Sequence, residues 1–129
     1  MKITRFEDLD CWREARKLVK MVYDAIRDNK RLSADLRFAG QFSSAAVSSM
    51  SNIAEGFARE TDREFQRGLW IAKGSTAEVQ SLSYAAADQG YFEEEERIKI
   101  YAQAEKVASL ISGMIKYLQK SLPKKRWNE

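Results

Sequence analysis

The chain has 129 residues, 44% of them hydrophobic and 32% charged, a balance that suits one compact domain and excludes both a disordered and a membrane-embedded polymer. Its 22 basic and 19 acidic side chains leave a formal charge of +3, which permits nucleic-acid binding without demanding it. Histidine is absent, which removes the commonest general base and the commonest metal ligand together.

One proline and six glycines are too few for a turn-rich fold, so long helices with few connections are predicted. The first helix is predicted over residues 7–27, where Phe6, Leu9, Trp12, Leu18 or Val19, Val22 and Ile26 recur at three- and four-residue steps. Arg13, Arg16, Lys17 and Lys20 fill the wet face. Residues 28–32 are polar and read as a connector, with Ser33 as N-cap of the next helix. That second helix, over 34–58, carries no charged residue from Phe38 to Ala54. A helix without charge on any face is normally covered on more than one side, so it is expected to pack in the core and against a neighbouring subunit.

The third helix is predicted over 62–88. Thr61-Asp62-Arg63-Glu64 forms a capping box at its start, and Gln89-Gly90 ends it because glycine suits the left-handed terminal position. The fourth is predicted over 93–122, opening on Glu93-Glu94-Glu95-Glu96, carrying Lys116 and Lys120 in its last turns and stopping at Pro123. A basic tail, 123–129, follows. The expected fold is all-α, an antiparallel up-down-up-down four-helix bundle in a single domain over 1–129.

The lone Cys11 allows no internal disulfide, and a reducing, cytoplasmic setting fits that. The N-terminus turns acidic too early for a signal peptide, and no stretch has the roughly 20 apolar residues of a membrane span.

Catalysis finds little support. Cys11 sits between Asp10 and Trp12 with no histidine to activate it. Asn52, Glu55 and Glu78 read as a structural polar network between the second and third helices. A metal-dependent enzyme using Glu55 and Glu78 is the weakest reading, because the carboxylate-bridged metal pattern needs paired histidines. No catalytic residue, metal ligand or cofactor is assigned.

Arg59, Arg63 and Arg67 step by four residues, with Trp70 a turn beyond. Such an array holds phosphates and stacks a base, or forms a solvated face paired with Glu60, Asp62 and Glu64. Lys116, Lys120, Lys124, Lys125 and Arg126, near Trp127, make the densest basic cluster.

Three segments invite comparison: Ser51-Asn52-Ile53-Ala54-Glu55-Gly56-Phe57, Ile71-Ala72-Lys73-Gly74-Ser75-Thr76-Ala77-Glu78 and Gln89-Gly90-Tyr91. Together with Glu64-Phe65 and the opening Phe6-Glu7-Asp8-Leu9-Asp10-Cys11-Trp12, they resemble the four-helix-bundle proteins encoded by intervening sequences of bacterial ribosomal RNA genes. The resemblance implies a bacterial, cytosolic bundle that assembles as a homopentameric ring and is not an established enzyme. It also implies kinship with accessory proteins of diversity-generating retroelements, which bind a reverse transcriptase and nucleic acid. The chain departs from the family pattern at Ser43-Ser44, where basic residues are usual, and at Met50, where proline is usual.

Three functions follow as expectations. The first is a non-enzymatic, ring-forming protein that contacts RNA, DNA or a nucleic-acid enzyme through basic surfaces. The second is a pure protein-interaction module, such as a reverse-transcriptase accessory without nucleic-acid affinity of its own. The third is the metal-dependent enzyme.

Overall fold

The computed structural model describes residues 3–121. A 3-10 turn at Phe6–Asp8 leads into α1 (Asp10–Asp28), followed by the short α2 (Lys30–Ala34), then α3 (Leu36–Ala58), α4 (Asp62–Asp88) and α5 (Glu94–Ser121). Among the described residues there is no strand. Each long helix packs on the one before it, and α1 closes the square against α5. Short connectors make every adjacent pair antiparallel, so the bundle runs up-down-up-down. Leu18, Val22, Phe42, Ile53, Leu69, Val79, Ile100, Val107 and Ile111 fill its centre with no exposure worth counting.

Helix α1 begins three residues later than the periodicity predicts. Leu9 adopts an extended backbone, and its N–H bonds the Phe6 carbonyl at 2.9 Å. The turn folds Phe6 back onto Trp12, edge to face, with ring centres 5.0 Å apart. The apolar pair closes the mouth of the bundle as a staple does at a helix entry.

The expected connector at 28–32 is largely the helix α2, and Ser33 lies inside it. Leu32 is the reason, since it inserts fully into the core and draws its neighbours into a turn. The cap of α3 is Asp35, whose carboxylate accepts the Phe38 N–H at 3.2 Å. Its other oxygen accepts the Tyr91 hydroxyl at 2.6 Å. Arg31 lies over the Tyr91 ring, 5.4 Å from its centre. The connector between α4 and α5 is thereby pinned to the start of α3.

The Tyr91 hydroxyl, and after it the Phe38 N–H, hold the Asp35 carboxyl below its usual range. A depressed carboxyl contributes stability above its ordinary pKa and loses it as the pH falls through the lowered one. Tyr91→Phe is therefore expected to lower the melting temperature at pH 7 and to flatten its fall below about pH 4. Parallel melting curves of variant and parent across pH 7 to 3 check this.

At the C-terminal end of α4, Gly90 takes φ +71°. Its N–H bonds Ala87 O at 2.9 Å, and the Tyr91 N–H bonds Ala86 O at 3.0 Å. This is the paired terminal bonding for which glycine is suited. The start of α4 shows half of the predicted capping box. Thr61 Oγ1 accepts the Glu64 N–H at 3.2 Å, but among the described residues no bond returns from the Glu64 carboxylate to the Thr61 N–H.

Helices α3 and α4 meet most closely at two glycines. A Cβ added to Gly68 would lie 2.6 Å from the Asn52 carbonyl oxygen and 2.9 Å from Gly56 Cα. This contact fixes how the chain crosses from one helix to the other, and so where the arginines around it stand.

Candidate nucleic-acid interface

The three arginines run from the end of α3 into α4, across the turn between the two helices. Arg59 caps α3 in extended backbone, with its N–H on Gly56 O at 3.2 Å. Because the helix stops at Ala58, the four-residue step from Arg59 to Arg63 is not a helical step. Arg63, Arg67 and Trp70 do share one outward face of α4, at the three- and four-residue spacing that aligns side chains. Arg59 and Arg67 line a cleft of about 350 Å³ together with Asn52, Glu55, Gly56, Glu64, Gly68 and Ile71.

The cations of this region differ in pairing from most of those on α1. On α1, Arg13 is held by Asp10, Lys17 reaches Glu14 at 3.1 Å, Lys20 reaches Asp24 at 3.0 Å and Arg27 reaches Asp24 at 2.9 Å. On α5, Arg97 reaches Glu94 at 2.6 Å and Lys106 reaches Glu14 at 3.5 Å. Arg59, Arg63, Arg67, Lys73, Lys116 and Lys120 make no ion pair among the described residues. Glu60, Asp62 and Glu64 do not neutralise the arginines beside them.

Sequence spacing accounts for the lysines but not for the arginines, since Glu60 and Glu64 precede Arg63 and Arg67 by the same three residues at which Asp10 holds Arg13. Between Phe65 and Ala77, α4 carries Arg67 and Lys73 and no carboxylate, and from Lys106 to Ser121, α5 carries Lys106, Lys116 and Lys120 and none. The antiparallel register that sets Gln80 Nε2 2.9 Å from the Glu105 carboxylate brings Lys116 to within about one helical turn of the level of Lys73. Both line a groove of about 470 Å³ floored by Thr76, Ala108, Ser112 and Gly113. Lys73 was not singled out from the sequence, although its position three residues after Trp70 is a helical-face signal. Its ammonium sits 5.2 Å from the centre of the Trp70 ring. Lys116 and Lys120 are exposed. Lys124, Lys125 and Arg126 lie outside the described residues.

The polar network expected between α3 and α4 takes a different membership. Asn52 Nδ2 donates to the Ser48 carbonyl at 2.9 Å and to Ser48 Oγ at 3.0 Å, and Ser48 and Ser75 bond across the helices at 2.8 Å. Glu55 stands exposed beside the cleft, outside this chain of bonds. Glu78 accepts from Gln41 at 3.4 Å. Gln41 precedes Glu55 by about four turns of helix, or about 20 Å, so the two carboxylates are too far apart to share an ion in one chain. Cys11 is buried, and burial above all pushes its thiol up to about 11, the direction opposite to a nucleophile's.

The charge-free stretch of α3 also resolves into two faces. Phe42, Ala45, Ala46, Ser49 and Ile53 point inward. Gly40, Ser44, Val47 and Ser51 recur at the same spacing on the outside, and Val47 is 38% exposed. Gly40, and Gly74 on the outer side of α4, have nothing within 4 Å of an added Cβ. A mid-helix glycine costs about 1 kcal/mol against alanine, and no contact within the single chain offsets that cost.

Comparison with known proteins places these features. The family model described as 23S rRNA-intervening sequence protein matches residues 7–113. A solved structure from Bacteroides thetaiotaomicron, described as a protein of unknown function from the S23 ribosomal protein family, superposes with a TM-score of 0.73. It is 16% identical and the match covers 82% of this chain and 98% of that one, which supports the shared fold. No curated protein matches the chain. Among the described residues no helix is long and apolar enough to cross a membrane.

Proposed function

We propose, from the premise that the chain belongs to the 23S rRNA-intervening sequence protein family, that it is a non-enzymatic binding protein that assembles as a ring and holds nucleic acid on the basic surface of α4 and α5. The observation that carries this reading is that Arg63, Arg67, Lys73 and Lys116, all on α4 and α5, make no ion pair among the described residues, whereas Arg13, Lys17, Lys20 and Arg27 on α1 are paired. Unpaired cations on a folded surface hold counterions loosely, and a phosphate backbone gains its affinity by displacing the ions condensed on itself. The uncharged outer face of α3 supports the assembly, because a second copy packed there would account for glycines that the single chain does not use. A ring of five, as the family resemblance implies, multiplies a weak patch into an avid one.

The test is a titration of labelled RNA and DNA between 50 and 200 mM salt. The parent is expected to lose affinity steeply, and Arg63→Ala/Arg67→Ala/Lys73→Ala to shallow the log–log slope by roughly 2 to 3, near one unit per lost phosphate contact. An unchanged slope, or no binding at 50 mM, would overturn the reading.

The uncharged face also favours a second reading, a protein-interaction module that docks on a nucleic-acid enzyme such as a reverse transcriptase. Recovery of such an enzyme by the purified protein, with no salt-dependent affinity for RNA or DNA, would select it.

A further inference from the structure

We propose that Trp70 is a base-stacking platform for single-stranded nucleic acid, and that the groove between α4 and α5 bordered by Lys73 and Lys116 guides the phosphates of that strand. The inference rests on the nucleic-acid reading above and narrows it to one class of ligand and one place.

Trp70 is 53% exposed in the single chain, against 9% for Trp12. An indole left in water on a helix is unremarkable alone. This one has a cation one turn away on either side, and neither makes an ion pair among the described residues. Arg67 precedes it by three residues and Lys73 follows by three, so both stand beside it on the helix surface. The Lys73 ammonium already lies against the ring at 5.2 Å. Lys116 lines the same groove as Lys73. No carboxylate interrupts α4 between Phe65 and Ala77 or α5 from Lys106 to Ser121.

The groove floor is small and polar. Thr76, Ser109, Ser112 and Gly113 leave room for a backbone to lie between the two lysines. Glu105 marks its far end, where it is held by Gln80, so the groove is most favourable to a phosphate at its Lys116 end. Aromatic rings beside a cationic track are the recurring arrangement for single strands, because every unpaired base has a free face. A duplex offers its bases no free face for Trp70 and gains only the cations.

The experiment compares a 20-residue deoxythymidine oligomer with a 20-base-pair duplex, using the full chain and its Trp70→Ala and Trp70→Phe variants. Trp70→Ala is expected to weaken the single strand about tenfold, to leave the duplex unchanged and to keep the salt slope, since no cation is removed. Trp70→Phe should recover most of the loss. Lys73→Ala/Lys116→Ala should instead shallow the slope for the single strand by between one and two. Sedimentation of Trp70→Ala should match the parent. Equal weakening of both oligomers, no weakening of the single strand, or a changed sedimentation coefficient would each overturn the proposal while leaving nucleic-acid binding itself intact. Failure of the parent protein to bind either oligomer would overturn the broader reading as well.

Discussion

A Gly68→Ala variant is expected to melt roughly 8 °C below the parent. The added methyl carbon would stand 2.6 Å from the Asn52 carbonyl oxygen and 2.9 Å from Gly56 Cα. Both obstacles are backbone, so neither can swing aside as a side chain would. The helices must separate, and Ile53, Leu69 and Phe65 lose part of their packing when they do. Overpacking of this kind costs about 1–3 kcal/mol, here opposed only by the gain of about 1 kcal/mol in helix propensity. With a backbone obstacle the cost should lie near its upper end, which leaves a net loss of about 2 kcal/mol. A chain of this size shifts by about 4 °C per kcal/mol. Gly113→Ala is the control, because nothing lies within 4 Å of a Cβ there. Its melting temperature is expected to rise by a few degrees for the same propensity gain. Scanning calorimetry of the two variants separates the readings: equal shifts would show that the α3–α4 crossing tolerates a wider gap.

This crossing explains why the most family-like segment, Asn52 to Gly56, was legible as a signal but not as a role. Ile53 is fully buried, Gly56 lets α4 approach, and the Asn52 carbonyl takes up the space that Gly68 leaves. Its residues specify a helix crossing, and only Asn52 continues into the polar network. Read along one helix, Glu55 looked like a partner of Asn52 and Glu78. Read across two helices, Ser48 and Ser75 take that place, because the antiparallel register aligns them and carries Glu78 toward Gln41.

Helix ends were legible where one residue carries the geometry. Gly90 and Thr61 end and begin helices as their chemistry dictates. They were misread where a tertiary contact decides. Leu32 turns an apparently polar connector into a helix by entering the core, and Asp35 becomes the cap because Tyr91, distant in sequence, orients it. The same limit applies to the basic surface. Four-residue spacing joined Arg59 to Arg63, but the chain leaves the helix between them. Lys73 and Lys116 come together only through a register between α4 and α5 that neither segment encodes alone.

The proposed assembly supplies the second large effect. Val47→Lys is expected to reduce the sedimenting species from a multimer to a single chain at micromolar concentration. Val47 is 38% exposed on the outer face of α3, so the lysine can reach water in the isolated chain, and its fold should hold to within about 0.5 kcal/mol. Packed against a second copy, the ammonium would lose its water among Gly40, Ser44 and Ser51, which offer no carboxylate. An unpaired buried charge costs several kcal/mol, and a closed ring repeats that cost at every interface. The substitution also adds a cation, which by charge alone would raise affinity for nucleic acid. If the basic surface works through avidity, affinity should instead fall by two orders of magnitude or more. The two mechanisms thus predict opposite signs from one residue. A weaker-binding monomer ties nucleic-acid retention to the ring, whereas a tighter-binding one would show that each chain binds alone and that the uncharged face serves another partner.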